Sequence, residues 1–202
     1  MPTPSKSVTY IYDFASPNGY FVHRVLPGIA AKHGATLAYS PALLGGIFKA
    51  TNNQAPMMAF QNVTGKLAYQ RTEIARFIER HGVEFTWNPA FPINTLPLMR
   101  AAVYAEGQPW KMDYVNAVMD AMWRDAKNMG DPDVIGAVLS AAGLPVAKIM
   151  EAIQTPEVKA KLVELTEAAV ARGVFGLPAM FVGDEMFFGK DSLDDLNWRL
   201  GQ

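Results

Sequence analysis

Two short stretches carry the side chains that could do chemistry. Near the start, Asp13-Phe14-Ala15-Ser16-Pro17-Asn18-Gly19-Tyr20 follows a strand-like run; near the end, Gly173-Val174-Phe175-Gly176-Leu177-Pro178 leads into two more. Ser16 followed by Pro17 puts a hydroxyl where a helix begins, because serine is a favoured N-cap and proline a favoured first helical residue. Asp191 and Ser192 stand in the same relation to a closing helix, Leu193 to Leu200. Each pair has a plain reading as a helix cap that needs no ligand, and Asn53 and Asn94 read equally well as loop or cap residues. The chain has no cysteine. That excludes disulfides, thiolate metal ligands and a protein thiol nucleophile, so any sulfur chemistry has to arrive with a ligand. His23, His33 and His81 are the only histidines; none is spaced with acidic residues as metal ligands are, and they read as surface or helix-packing residues.

The elements that must position these side chains follow from pattern. Val8 to Asp13 alternates β-branched and aromatic residues, as a strand does. Phe21, Val25, Ile29 and Ala30 recur at helical spacing up to Gly34, and Thr36 to Pro41 is a second strand. This β-α-β unit implies parallel strands with a right-handed crossover. At the other end, Gly173 ends a helix over Pro156 to Arg172, and Gly183-Asp184 separates Ala179 to Val182 from Glu185 to Phe188 as a two-residue hairpin turn. Pro178 sits at the mouth of that hairpin, where a missing donor is tolerated; the pattern leaves its isomer open.

Between these halves the chain reads as helical. Leu43 to Met58, rich in Gly, Asn, Gln, Ala and Met, predicts loop with at most a short helix. Lys66 to His81 is a helix stopped by Gly82, and Asn94 or Thr95 caps another through Glu106. Pro109 to Asn128 puts Met112, Val115, Met119, Met122 and Trp123 on one side, a stripe that belongs in a core. Asp131-Pro132, Leu144-Pro145 and Thr155-Pro156 each open a further helix. The expectation is an α/β protein in which residues 1–42 and 172–202 form one domain and residues 43–171 an all-helical insertion. Met1 to Ser7 is a polar lead, expected to be loosely held.

Composition narrows the function classes. Half of the 202 residues are apolar and the net charge is -1, so a substantial core is available, while a nucleic-acid stripe or a polybasic membrane patch is not. No run of about eighteen apolar residues or signal-peptide pattern is present, and a cytoplasmic location is expected.

β-α-β followed by β-β-α, with proline at the mouth of the hairpin, is the order of a thioredoxin-like fold. Where thioredoxins carry their two cysteines, this chain has Ser16-Pro17-Asn18-Gly19. The sequence resembles the 2-hydroxychromene-2-carboxylate isomerases, in the disulfide-isomerase-like family that also holds the kappa-class glutathione transferases. The resemblance is carried by Asp13-Phe14-Ala15-Ser16-Pro17 and Tyr20, by Asn53, Lys66, Tyr69 and Asn94, and above all by Phe175 to Phe181, Gly183 to Met186 and Gly189-Lys190-Asp191. It implies glutathione as cofactor, a small aromatic substrate, and a homodimer without nucleic-acid or membrane partners.

Residue by residue, the resemblance gives Ser16 the hydrogen bond to the glutathione sulfur, and Leu177 with Pro178 the backbone pairing with its cysteinyl unit. It gives Asp191 and Ser192 the γ-glutamyl end and Asn53 a place near the thiol. Lys66 is either a solvated helix residue or a partner of the glycyl carboxylate. Pro17, Asn18, Tyr20 and Asn94 fall to the substrate side, while Tyr69 and Trp87 are core or pocket wall. Family members often have an aromatic residue and a serine where this chain has Asn18 and Gly19, so its substrate wall is altered. The physical case is that a thiol of pKa ~8.5 ionises more readily at a helix N-terminus beside a hydroxyl donor.

The mechanism implied is reversible: a thiolate adds to an unsaturated carbon, the adduct rotates about the new single bond, and elimination returns the thiol. Two rivals stay open from sequence, a kappa-type glutathione transferase that consumes its thiol and a thioredoxin-like binding module without catalysis.

Overall fold

Alternating β-branched and aromatic residues draw Ser7–Tyr12 into a strand, β1. The computed structural model describes residues 6–202, so most of the expected polar lead, residues 1–5, lies outside the described residues, while Ser7 already pairs with Thr36. β1 runs parallel to β2, Thr36–Pro41, and antiparallel to β3, Ala179–Val182; β3 pairs antiparallel with β4, Glu185–Phe188. Among the described residues these make one sheet in the order β2-β1-β3-β4. That is the thioredoxin-like arrangement, and it leaves the C-terminal end of β1 beside the start of β3. Gly183 takes φ +61 in the hairpin turn, a conformation glycine adopts without a steric cost.

The helices follow in chain order: α1 Pro17–Lys32, α2 Leu44–Thr51, α3 Pro56–Ala59, α4 Lys66–His81, α5 Leu96–Ala105, α6 Lys111–Trp123, α7 Pro132–Ala141, α8 Val146–Ala152, α9 Pro156–Ala171 and α10 Leu193–Leu200. α1 starts at Pro17, as the Ser16-Pro17 pair implies, and Ser16 caps it by accepting from the Gly19 amide. α2 and α3 are the short helices that the reading of Leu43 to Met58 as loop with at most a short helix allowed, and α2 accounts for half of that stretch. It is held by distant partners: the Leu43 amide donates to Thr166 and the Leu44 amide to Asp13. α6 ends at Trp123 rather than Asn128, where the Asn88 amide donates to the Met122 and Lys127 carbonyls and Ala126 turns to φ +52.

One face of the sheet packs Tyr10, Tyr12 and Phe14 against Met119, Met122 and Trp123 of α6. The methionine stripe is therefore core except for Met112, which is exposed. The other face packs Ile11, Ala179 and Phe181 against Ala169 of α9 and Ile47 of α2. Helices expected as an insertion thus share both cores with the strands. Among the described residues no helix is long and apolar enough to cross a membrane.

His23, buried on α1, meets the Tyr39 hydroxyl at 2.9 Å. Burial lowers its imidazole to about 4, with Arg24 adding to the effect and Asn116 opposing it. The folded pKa lies below the unfolded value of about 6.5, so the unfolded chain binds the proton first. Stability from this group is complete above pH ~6.5 and is lost as pH falls toward 4, by on the order of 3 kcal/mol. Thermal unfolding followed across that range is expected to show the loss, and a His23→Gln variant to flatten it.

Candidate functional site

The loop from Gly173 to Pro178 is where the separated segments meet. The Ser16 hydroxyl donates to the Leu177 carbonyl at 3.2 Å and accepts from the Gly19 amide at 3.2 Å, and both Ser16 and Leu177 are 6% exposed. The first turn of α1 is thus fastened to a loop 161 residues away. Gly19 permits the close approach, since a Cβ there would lie 3.3 Å from the Asp13 carbonyl and 3.5 Å from the Ser16 side chain. The Leu177-Pro178 bond is cis, which answers what the sequence left open.

Other candidates join the same loop. The Asn53 amide, just past α2, donates to the Phe175 carbonyl at 2.7 Å. The Gly189 amide donates to the Pro178 carbonyl at 2.9 Å, and the Ser192 hydroxyl returns to the Gly189 carbonyl at 3.1 Å. Ser192 therefore occupies the cap position of α10 without a side-chain cap bond. Asp191 is exposed, and its carboxylate takes the ammonium of Lys190, a buried lysine lying 5.5 Å from the Phe77 ring centroid. Pro17 and Asn18 are half-buried in the first turn of α1, with the Asn18 amide oxygen turned inward where no donor meets it among the described residues.

Three further candidates have partners of their own. Tyr20 is fully buried with its hydroxyl donating to the Glu84 carbonyl at 2.8 Å, and it packs against Phe21 and Phe85. Lys66 opens α4 with its ammonium 5.5 Å from the Phe60 ring centroid, and no hydrogen bond among the described residues ties it to the Ser16–Leu177 pair. Asn94 is exposed and accepts from the Leu96 amide at 3.1 Å, leaving Thr95 in the cap position of α5. Tyr69 and Trp87 are about half exposed, so neither is core.

The residue the sequence reading left without a role is Asp13. It is 1% exposed at the end of β1, and its carboxylate accepts from the Ala15 amide at 2.9 Å, the Leu44 amide at 2.8 Å and the Thr95 hydroxyl at 2.7 Å. Burial pushes the carboxyl above its usual range, while those three donors pull it back. One side chain thus ties together the starts of α1, α2 and α5. The only local signal was a charged residue closing an apolar strand and preceding a helix cap.

Comparison with known proteins identifies the family. The family model for the DSBA-like thioredoxin domain matches residues 7–201. The chain is 27% identical over 192 residues to a 2-hydroxychromene-2-carboxylate isomerase of Sphingobium xenophagum, covering 95% of this chain and 96% of that one. It is 26% identical to glutathione S-transferase kappa 1 of Homo sapiens, covering 100% and 93%. Among solved structures, a 2-hydroxychromene-2-carboxylate isomerase superposes with a TM-score of 0.84 at 26% identity, covering 96% and 94% of the two chains.

Proposed function

Because the chain belongs to the DSBA-like thioredoxin domain family, and its near full-length relatives include isomerases, we propose that it is a glutathione-dependent isomerase of the 2-hydroxychromene-2-carboxylate type serving aromatic-compound degradation. The observation that carries the reading is the Ser16 hydroxyl 3.2 Å from the Leu177 carbonyl. A hydroxyl donor beside a peptide carbonyl fits a ligand that brings a thiol and a peptide N–H together. When bound, glutathione supplies the reversible sulfur nucleophile that a cysteine-free chain lacks.

In this proposal the chain's residues bind, orient and ionise. On binding, Ser16 turns its one hydroxyl proton from the Leu177 carbonyl to the sulfur at the N-terminus of α1, where the helix dipole also favours negative charge. The Leu177 backbone, ahead of Pro178, aligns the cysteinyl unit. Asp191 and Ser192 hold the γ-glutamyl end, Asn53 stands near the thiol, and Lys66 meets the glycyl carboxylate. Pro17, Asn18 and Asn94 border the small aromatic substrate. Positioning of this kind is what covalent catalysis asks of its scaffold. The proposal extends to a cytoplasmic homodimer without nucleic-acid or membrane partners.

A thermal-shift titration tests the cofactor. Glutathione at about one hundred times its dissociation constant adds ~2.7 kcal/mol, a rise in melting temperature of about 5–10 °C for a chain of this size. No shift overturns the reading. The kappa transferase relative supports a second reading, conjugation, and product analysis separates the two: an isomerase returns its glutathione and a transferase consumes it.

A further inference from the structure

Phe175 and Phe188 leave 41% and 42% of their surfaces exposed. Their rings lie together, 4.5 Å between centroids with 40° between planes. They come from different segments, one from the loop before Pro178 and the other from the end of β4 at the edge of the sheet. Gly176 makes room for the pair, since a Cβ there would lie 3.2 Å from the Phe188 ring and 3.8 Å from Phe48 of α2. Asn53 fixes the Phe175 carbonyl. Two residues further on, the Leu177 carbonyl meets the Ser16 hydroxyl, and two residues of extended chain span at most about 7 Å. Phe175 therefore stands on the same loop as the carbonyl that meets the hydroxyl, two residues before it.

Area decides what the pair can hold. Two phenylalanines exposed to this extent present on the order of 150 Å², whereas a stable protein interface takes about 800 Å² from each partner. By itself the pair is too small to hold a second protein, and its area suits a single arene. Aromatic rings meeting at an angle also offer both a face and an edge, the two contacts an arene prefers.

We propose that Phe175 and Phe188 form the platform on which the aromatic ring of the substrate rests, a specificity determinant that deepens and depends on the isomerase reading. The test compares wild type with Phe188→Leu, both in the presence of glutathione. Each is titrated with 2-hydroxycinnamate and with a cyclohexyl acrylate of the same length. Wild type is expected to prefer the arene about three- to ten-fold, and the variant to lose that preference. Its glutathione-induced melting shift and its sedimentation should not change. Phe175→Leu carries the same test if Phe188→Leu fails to fold.

Equal affinity for the two ligands in wild type, or a preference that survives both substitutions, overturns the platform. A changed sedimentation coefficient would assign the pair to contact between copies of the chain, and a lost glutathione shift would assign it to the cofactor; either overturns it as well. A wild type that ignores glutathione yet still prefers the arene sinks the isomerase reading and leaves the platform standing.

Discussion

Ser16→Ala is expected to lower isomerase turnover about 10²- to 10³-fold near neutral pH, the loss seen when one donor to a developing or resident anion is removed from an active site. The hydroxyl has two jobs, and their sizes differ. As a cap it accepts from the Gly19 amide, and its loss costs about 1 kcal/mol of stability, or a melting temperature ~2–4 °C lower. As a donor it would hold a thiolate, and removing such a donor from an active site costs more, about 2.7–4 kcal/mol of the barrier. Activity should therefore fall far more than stability. The pH dependence separates the roles: without the hydroxyl, a bound thiol ionises nearer its free value of ~8.5, so the variant should recover activity as pH rises toward that value while wild type changes little. Thiolate absorbance of bound glutathione, read alongside turnover, checks the argument. A variant with wild-type turnover and an unshifted pH profile would remove Ser16 from the chemistry.

How much of this was legible beforehand depends on how local each signal is. The hairpin around Gly183-Asp184, strand β2 and helix α4 carry their own punctuation, and their bounds follow it. α2 does not. Its sequence holds Gly45 and Gly46, its cap residue Leu43 makes no side-chain cap bond, and its hydrogen-bond partners, Thr166 and Asp13, are remote in sequence. Gly46 is there because a Cβ would lie 3.0 Å from the Thr166 methyl, a constraint no local pattern contains. Ser16 was readable as a cap from its neighbours. Its partner Leu177 was not, because 161 residues separate them, and only the family resemblance joined the two. Tyr20 shows the converse, since the burial of a motif position follows from where α1 starts and not from its immediate neighbours.

Asp13→Ala is expected to cost the most stability of any single change near the site, on the order of 3–5 kcal/mol. The carboxylate is out of water, so its three donors have no alternative partner when it goes: the Ala15 amide, the Leu44 amide and the Thr95 hydroxyl. Each buried donor left unsatisfied costs about 1–3 kcal/mol. Relief from burying a charge offsets part of that sum, which is why the estimate falls below the simple total. For a chain of this length the melting temperature should drop by roughly 6–20 °C. Asp13→Asn keeps the volume and one acceptor oxygen but turns an NH₂ toward a donor, so it should fall between alanine and wild type. The effect should also reach glutathione. The Ser16 amide donates to the Asp13 carbonyl at 3.3 Å, and the Ala15 amide is held by the carboxylate, so loosening residue 13 loosens the segment that presents the hydroxyl. Thermal unfolding of the two variants beside Ser16→Ala, each with and without glutathione, checks both claims. If Asp13→Ala melts within a degree or two of wild type, the starts of α1, α2 and α5 are held by something other than this carboxylate.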